Sequence, residues 1–93
     1  MRQTIWKYQL LTTEFQFIEM PVGARILCVQ MQKGSPFIWA TCCPDEKKVT
    51  KRKINTYGTG QTIEDGDFLQ QYIGTYQMAG GSLVFHVFEV IED

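Results

Sequence analysis

The chain has 93 residues, 44% of them apolar and 13% aromatic, and a formal net charge of −1. That length holds one domain and one core, and a domain of this size buries only about 60–65% of its unfolded surface. The charge balance argues against a general nucleic-acid binder, which carries a basic excess, and leaves little repulsion between copies of the chain.

In chain order, TIWKYQLL (Thr4–Leu11) reads as a first strand, rich in β-favouring side chains. EFQFIEM (Glu14–Met20) is a second, with Phe15 and Phe17 on one face and Gln16 opposite. Pro21-Val22-Gly23 ends it, because proline lacks the N–H and glycine permits positive φ. ARILCVQMQ (Ala24–Gln32) is the third, with Leu27, Val29 and Met31 sharing a face and Ile26 and Cys28 on the other. Lys33-Gly34-Ser35 is a tight turn with glycine at the left-handed position, and PFIWATCC (Pro36–Cys43) returns from it as a hairpin.

The polar stretch Pro44–Lys53 (PDEKKVTKRK) predicts an exposed, mobile loop. A fifth strand, Arg52–Tyr57, is stopped by Gly58-Thr59-Gly60, and TIEDGDFLQQ reads as a loop with at most one helical turn, capped by Asp67. Tyr72–Met78 and Ser82–Ile91 are two further strands around a Gly-Gly turn. In the last strand Leu83, Phe85 and Val87 share one face and Val84, Phe88 and Val90 the other. A strand apolar on both faces is central in its sheet or covered by a partner chain. About seven strands with short connections predict a single all-β, mainly antiparallel domain over residues 1–93, a small β-sandwich or barrel.

No apolar run reaches the ~18–20 residues of a membrane span, and MRQTIWKYQL lacks the features of a secretory signal. The expectation is a soluble, unexported protein with no membrane contact. Cys42 and Cys43 are adjacent, too close for an ordinary disulfide, and Cys28 leaves one thiol over. Free core thiols in a reducing compartment fit that arrangement, and the absence of C-x-x-C argues against zinc.

His86, the only histidine, alternates with Val84 and Phe88 and so points to an apolar face. A catalytic base needs a nucleophile and an orienting carboxylate within reach, and the alternation sends Glu89 to the opposite face. A structural or interface role follows. Lys47, Lys48, Lys51, Arg52 and Lys53 form a basic cluster, either a solvated loop or a docking site for phosphate or an acidic surface. Asn55, Tyr57 and Gly58-Thr59-Gly60 follow directly, and successive N–H groups around glycines can make an anion-binding nest. The G-x-x-x-x-G-K-[ST] spacing of a P-loop is absent. Trp6 and Tyr8 share a strand face and could stack a base, or could simply be core. Glu64, Asp65 and Asp67 cluster in a loop with neither glycosidase nor EF-hand arrangement. No catalytic motif, metal site or cofactor site emerges, so the expectation is a non-enzymatic protein with no cofactor.

Taken in order, TIWKY, MPVGARILCVQMQ, FIWA, GTGQ, YIGTYQ and LVFHVFE resemble a family of small proteins encoded by phages and prophages, known chiefly as a domain of unknown function. The resemblance covers most of the chain and spares the segment CCPDEKKVTKRK. It implies an accessory phage protein acting in the host bacterial cytoplasm and supplies no catalytic residues. With the residues above, the leading expectation is a homo-oligomeric anti-defence protein that sequesters a phosphorylated, cyclic-nucleotide-like signal. Phosphate would fall to Lys51, Lys53, Asn55, Tyr57, Gly58, Thr59 and Gly60, and stacking to Trp6 and Tyr8. The alternatives are an inhibitor or host-takeover factor that acts on a bacterial protein, and a virion accessory protein.

Overall fold

A computed structural model describes residues 2–64 and 69–91. Among them are seven strands: β1 (Thr4–Gln9), β2 (Phe15–Pro21), β3 (Arg25–Gln32), β4 (Ser35–Cys42), β5 (Val49–Gly58), β6 (Gln70–Met78) and β7 (Leu83–Val90). They form two antiparallel sheets, β1-β4-β3 and β2-β5-β7-β6, the sandwich-like all-β domain expected. No helix among the described residues is long and apolar enough to cross a membrane. The helical turn assigned to Asp67, like Asp65, lies outside the described residues.

Alternation along the strands builds the core. On β4, Pro36, Ile38, Ala40 and Cys42 turn inward, while Phe37, Trp39 and Thr41 are less covered. Leu10, Met20, Val29, Ile38, Cys42, Ile54, Tyr76 and Val87 join in one buried cluster fed by both sheets. Each large apolar side chain buried there contributes about 1.5–3 kcal/mol. Central placement explains the two-sided last strand: β7 pairs with β5 on one side and β6 on the other.

Tight turns follow the chemistry of their residues. Gln32 pairs with Ser35, so Lys33 and Gly34 alone make the turn, both at positive φ (51° and 83°). That pair of conformations matches the twist of a two-residue hairpin. Ala79–Gly81 form a short 3-10 turn between β6 and β7.

Two expectations need correction. β5 begins at Val49, so residues 49–53 are strand and not loop. The run of cations hid an alternation: Lys51 and Lys53 stand on the outer face, while Arg52 turns inward to Glu89. In β3 a register shift between Ile26 and Cys28 makes Leu27 an extra residue. Past that bulge the faces exchange, so Ile26 joins Val29 on the inner face opposite Ala40 and Ile38, and Cys28 faces outward opposite Trp39.

The sheets approach most closely where β3 meets β6. A second bulge, between Tyr72 and Gly74, brings the β6 backbone onto Val29. A Cβ at Gly74 would lie 2.7 Å from Val29 Cγ1. The domain is thin, 42 × 34 × 15 Å, so many large apolar side chains remain on its outer faces.

Burial raises the Cys42 thiol above its usual 9.0, with the neighbouring Cys43 adding to it. Burial likewise raises the Tyr8 hydroxyl above 10.0, with Cys42 second; that hydroxyl has no partner among the described residues. A proton held more tightly in the folded state stabilises fully below the unfolded pKa and ceases to do so as pH rises through the folded value. Urea midpoints are therefore expected to fall from about pH 9 upward, in the range where an unfolded thiol ionises, and the Cys42→Ala variant should lose part of that dependence.

Candidate functional site

The outer face of the four-stranded sheet gathers the polar and aromatic residues. Pairing of β5 with β7 sets Asn55 beside Phe88 and Tyr57 beside His86, and pairing of β6 with β7 adds Tyr72 and Thr75. Three rings form a row across β5, β7 and β6. Tyr57 and Phe88 are 5.7 Å apart and Phe88 and Tyr72 5.5 Å apart, both edge-to-face, the favoured geometry for aromatic pairs. Tyr57 is buried, whereas Tyr72 is 56% exposed.

Beside that row, Tyr57, Gly58, Thr59, Gly60, Gln61, Ile63, Tyr72, His86 and Phe88 line a pocket of about 250 Å³. Its polar edge is a chain of hydrogen bonds. His86 Nε2 and Thr59 Oγ1 are 2.7 Å apart, His86 Nδ1 and Thr75 Oγ1 3.0 Å, and Thr75 Oγ1 and the Tyr72 hydroxyl 2.6 Å. Both imidazole nitrogens are thus engaged by hydroxyls, and hydroxyls can donate or accept with either tautomer. Glu89 is on the inner face bound to Arg52, as the alternation predicts, so it does not orient the ring.

An adjoining cleft of about 290 Å³ shares Tyr57 and Gln61 with the pocket and is lined also by Phe15, Lys53, Asn55, Thr62, Glu14 and Glu64. Lys53 Nζ lies 5.1 Å from the centre of the Phe15 ring, within cation–π range. Asn55, Tyr57 and Gln70 bond one another: Asn55 Nδ2 donates to Gln70 Oε1 at 3.0 Å, and Gln70 Nε2 donates to the Tyr57 hydroxyl at 3.0 Å. That network fixes the floor of the site and leaves its cation and ring faces as the groups able to meet a ligand.

The structure divides the residues expected to bind. Lys51, Lys53, Asn55 and Tyr57 share the outer face of β5, and Gly58, Thr59 and Gly60 lie at its end. The backbone donors of the glycine turn are largely engaged. Gly58 N–H donates to Gln61 Oε1 at 3.0 Å and Thr59 N–H to the Val84 carbonyl at 3.2 Å. The nest as read from the triplet is therefore corrected: its first two N–H groups hold the turn together and do not face outward. Trp6 and Tyr8 stand on β1 in the other sheet, opposite Ala40 and Ile38 on the inner face, and do not join this site. Missing from the sequence reading were Tyr72, Phe88, Gln61 and Thr75, the second hydroxyl partner of His86. The two-sided apolar pattern of β7 and the first tyrosine of YIGTYQ were the signals available.

Two larger cavities, about 390 and 370 Å³, open at the far end and share Arg52, Gln71 and Glu89. Each nitrogen of the guanidinium there donates once: its Nε and Nη2 to the Glu89 carboxylate, the latter at 3.0 Å, and Nη1 to the Ala24 carbonyl at 2.8 Å. Among the described residues no group of three or more His, Cys, Asp or Glu could hold a metal ion.

No curated protein and no solved structure matches the chain. Residues 1–93 match a family described as a domain of unknown function (DUF7352), and the chain belongs to that family.

Proposed function

We propose that this is a non-catalytic binding protein that sequesters a small ligand with a flat ring and a phosphate, of the cyclic-nucleotide type. The carrying observation is the contiguity of the aromatic pocket with the Lys53 cleft across Tyr57 and Gln61. A base would stack on the exposed ring of Tyr72, with Thr59, His86 and Thr75 at hydrogen-bonding distance from its edge. Lys53, with Lys51 further along the same face, would meet the phosphate. Ring stacking is tolerant of base identity, and the polar edge supplies the selectivity. Binding without turnover suits a histidine held between hydroxyls with no carboxylate behind it. The family resemblance extends this reading to a phage-encoded, homo-oligomeric protein that counters defence signalling in the host cytoplasm.

Calorimetric titration with cyclic di- and trinucleotides and NAD-derived signals tests the proposal. A saturable heat with at least one of them is expected, weakened about tenfold or more in Tyr72→Ala, since stacking is worth roughly 1–3 kcal/mol per base. Lys53→Ala should weaken binding and flatten its salt dependence, while Trp6→Ala should leave affinity unchanged. Silence across the panel from a folded sample removes the reading. An inhibitor of a host protein is the second reading, favoured by Ile5, 58% exposed on the outer face of β1; it predicts a stoichiometric host protein in a pull-down, lost in Ile5→Asp.

A further inference from the structure

β2 is an edge strand, paired among the described residues only with β5. Its ladder is bracketed by two bonds, Thr56 N–H to the Glu14 carbonyl and Val22 N–H to the Lys48 carbonyl. Antiparallel residues alternate between facing their partner and facing away. Gln16, Ile18 and Met20 therefore exchange backbone bonds with β5, and Phe15, Phe17, Glu19 and Pro21 turn theirs to the open edge. The Phe15 carbonyl is taken by the Thr13 hydroxyl, and the Pro21 carbonyl accepts from Ala24 N–H. Among the described residues, the N–H and C=O groups of Phe17 and Glu19 are left as matched donors and acceptors along that edge.

Protected edges carry a cation, a bulge or a cover. β2 has no bulge in its register and no lysine or arginine; its one charge is Glu19, and its proline stands at the last position, Pro21. Its outer face instead bears Phe15 and Phe17, each 54% exposed and 6.2 Å apart edge-to-face. The edge of the other sheet is different: β1 carries Lys7, whose ammonium lies over the Phe37 and Trp39 rings. β3 and β6 lie against each other.

We infer that β2 pairs antiparallel with β2 of a second copy across a two-fold axis, joining two four-stranded sheets into one continuous sheet. The free backbone groups fix the register. Phe17 lies opposite Glu19 of the second copy and the reverse, with Ile18 facing its own counterpart on the axis, so two reciprocal pairs of backbone hydrogen bonds close. Charges agree with that register. Glu19 stands beside Lys51 of its own β5, and Phe17 of the second copy stands beside its own Lys53, so each carboxylate falls between ammonium groups of both copies. Each Phe17 gains a strand alongside its exposed side. A two-fold consumes both open edges at once and does not propagate into a fibre. This contact stands apart from the ligand reading and holds whether or not a nucleotide binds.

Sedimentation velocity at micromolar concentration should give twice the 10.7 kDa chain mass. Phe17→Pro removes an N–H that the monomer does not use, and a proline is tolerated at such an outward edge position. Glu19→Lys sets like charges beside one another. Both variants should sediment as monomers with unchanged circular dichroism. Ile18→Cys, on the axis at a close, non-hydrogen-bonded pair, should form a covalent dimer on mild oxidation. A monomeric wild type overturns the inference, including one that instead captures an extended peptide. So does a dimer that survives both substitutions, or one that Ile18→Cys fails to cross-link.

Discussion

Replacing Arg52 with methionine is expected to lower stability by about 3 kcal/mol, because breaking a buried pair leaves an uncompensated charge behind. Both partners are well covered, with side chains 19% and 14% exposed. The guanidinium also satisfies the Ala24 carbonyl, where the chain enters β3. The substitution therefore strands Glu89 on the inner face of β7 and frees a carbonyl at the seam between the sheets. Replacing both members with apolar residues, Arg52→Met with Glu89→Leu, should return stability to within about 1 kcal/mol of the starting protein, since well-packed apolar side chains commonly match a buried ion pair. Urea unfolding, compared at constant slope, reads the three variants. A loss below about 1 kcal/mol in Arg52→Met alone would mean that the pair is effectively solvated.

Gly74→Val is the second large effect, a loss of about 2–3 kcal/mol from overpacking. At an ordinary strand position the same change would be favourable, because β-branched residues suit a pleated surface and glycine does not. Here the new Cβ meets Val29 Cγ1 at 2.7 Å, and the Val29 backbone N and O lie at 3.5 and 3.6 Å. Val29 is itself buried, so it has little room to yield. The sign of the effect is thus diagnostic of close contact between the sheets. Trimming the neighbour with Val29→Ala should make the double variant better than additive by about 1 kcal/mol or more, the signature of directly touching side chains. Strict additivity would place β6 and β3 farther apart than this packing has them.

Strands were legible in the sequence wherever alternation was clean. EFQFIEM and PFIWATCC show two-residue periodicity, and Lys33-Gly34 has the turn chemistry a two-residue hairpin requires. The reading failed where alternation was masked. Three cations in a row at 51–53 look solvated, yet the middle one points inward because a carboxylate awaits it on β7. Leu27 broke the β3 pattern for another reason: a bulge leaves no local signature when every residue around it is apolar. The candidate site was half legible. Lys53, Asn55, Tyr57 and Thr59 lie on one strand and its turn, so their company could be read from spacing alone. Trp6 and Tyr8 had matching chemistry but the wrong sheet. The Thr59–His86 contact spans 27 residues and Thr75–His86 spans 11, and such pairings depend on strand order, which local pattern does not encode.

Strand order also governs when the protein can form at all. β7 is the last of the seven strands yet lies in the middle of its sheet, and β5 waits for it along Ile54–Gly58. During synthesis the ribosome must release β7 before the larger sheet can close. Until then the emerging β5 offers an unpaired border to whatever lies near, the circumstance in which a translating chain depends on chaperone cover. The three-stranded sheet, complete at Cys42, can assemble ahead of the larger one.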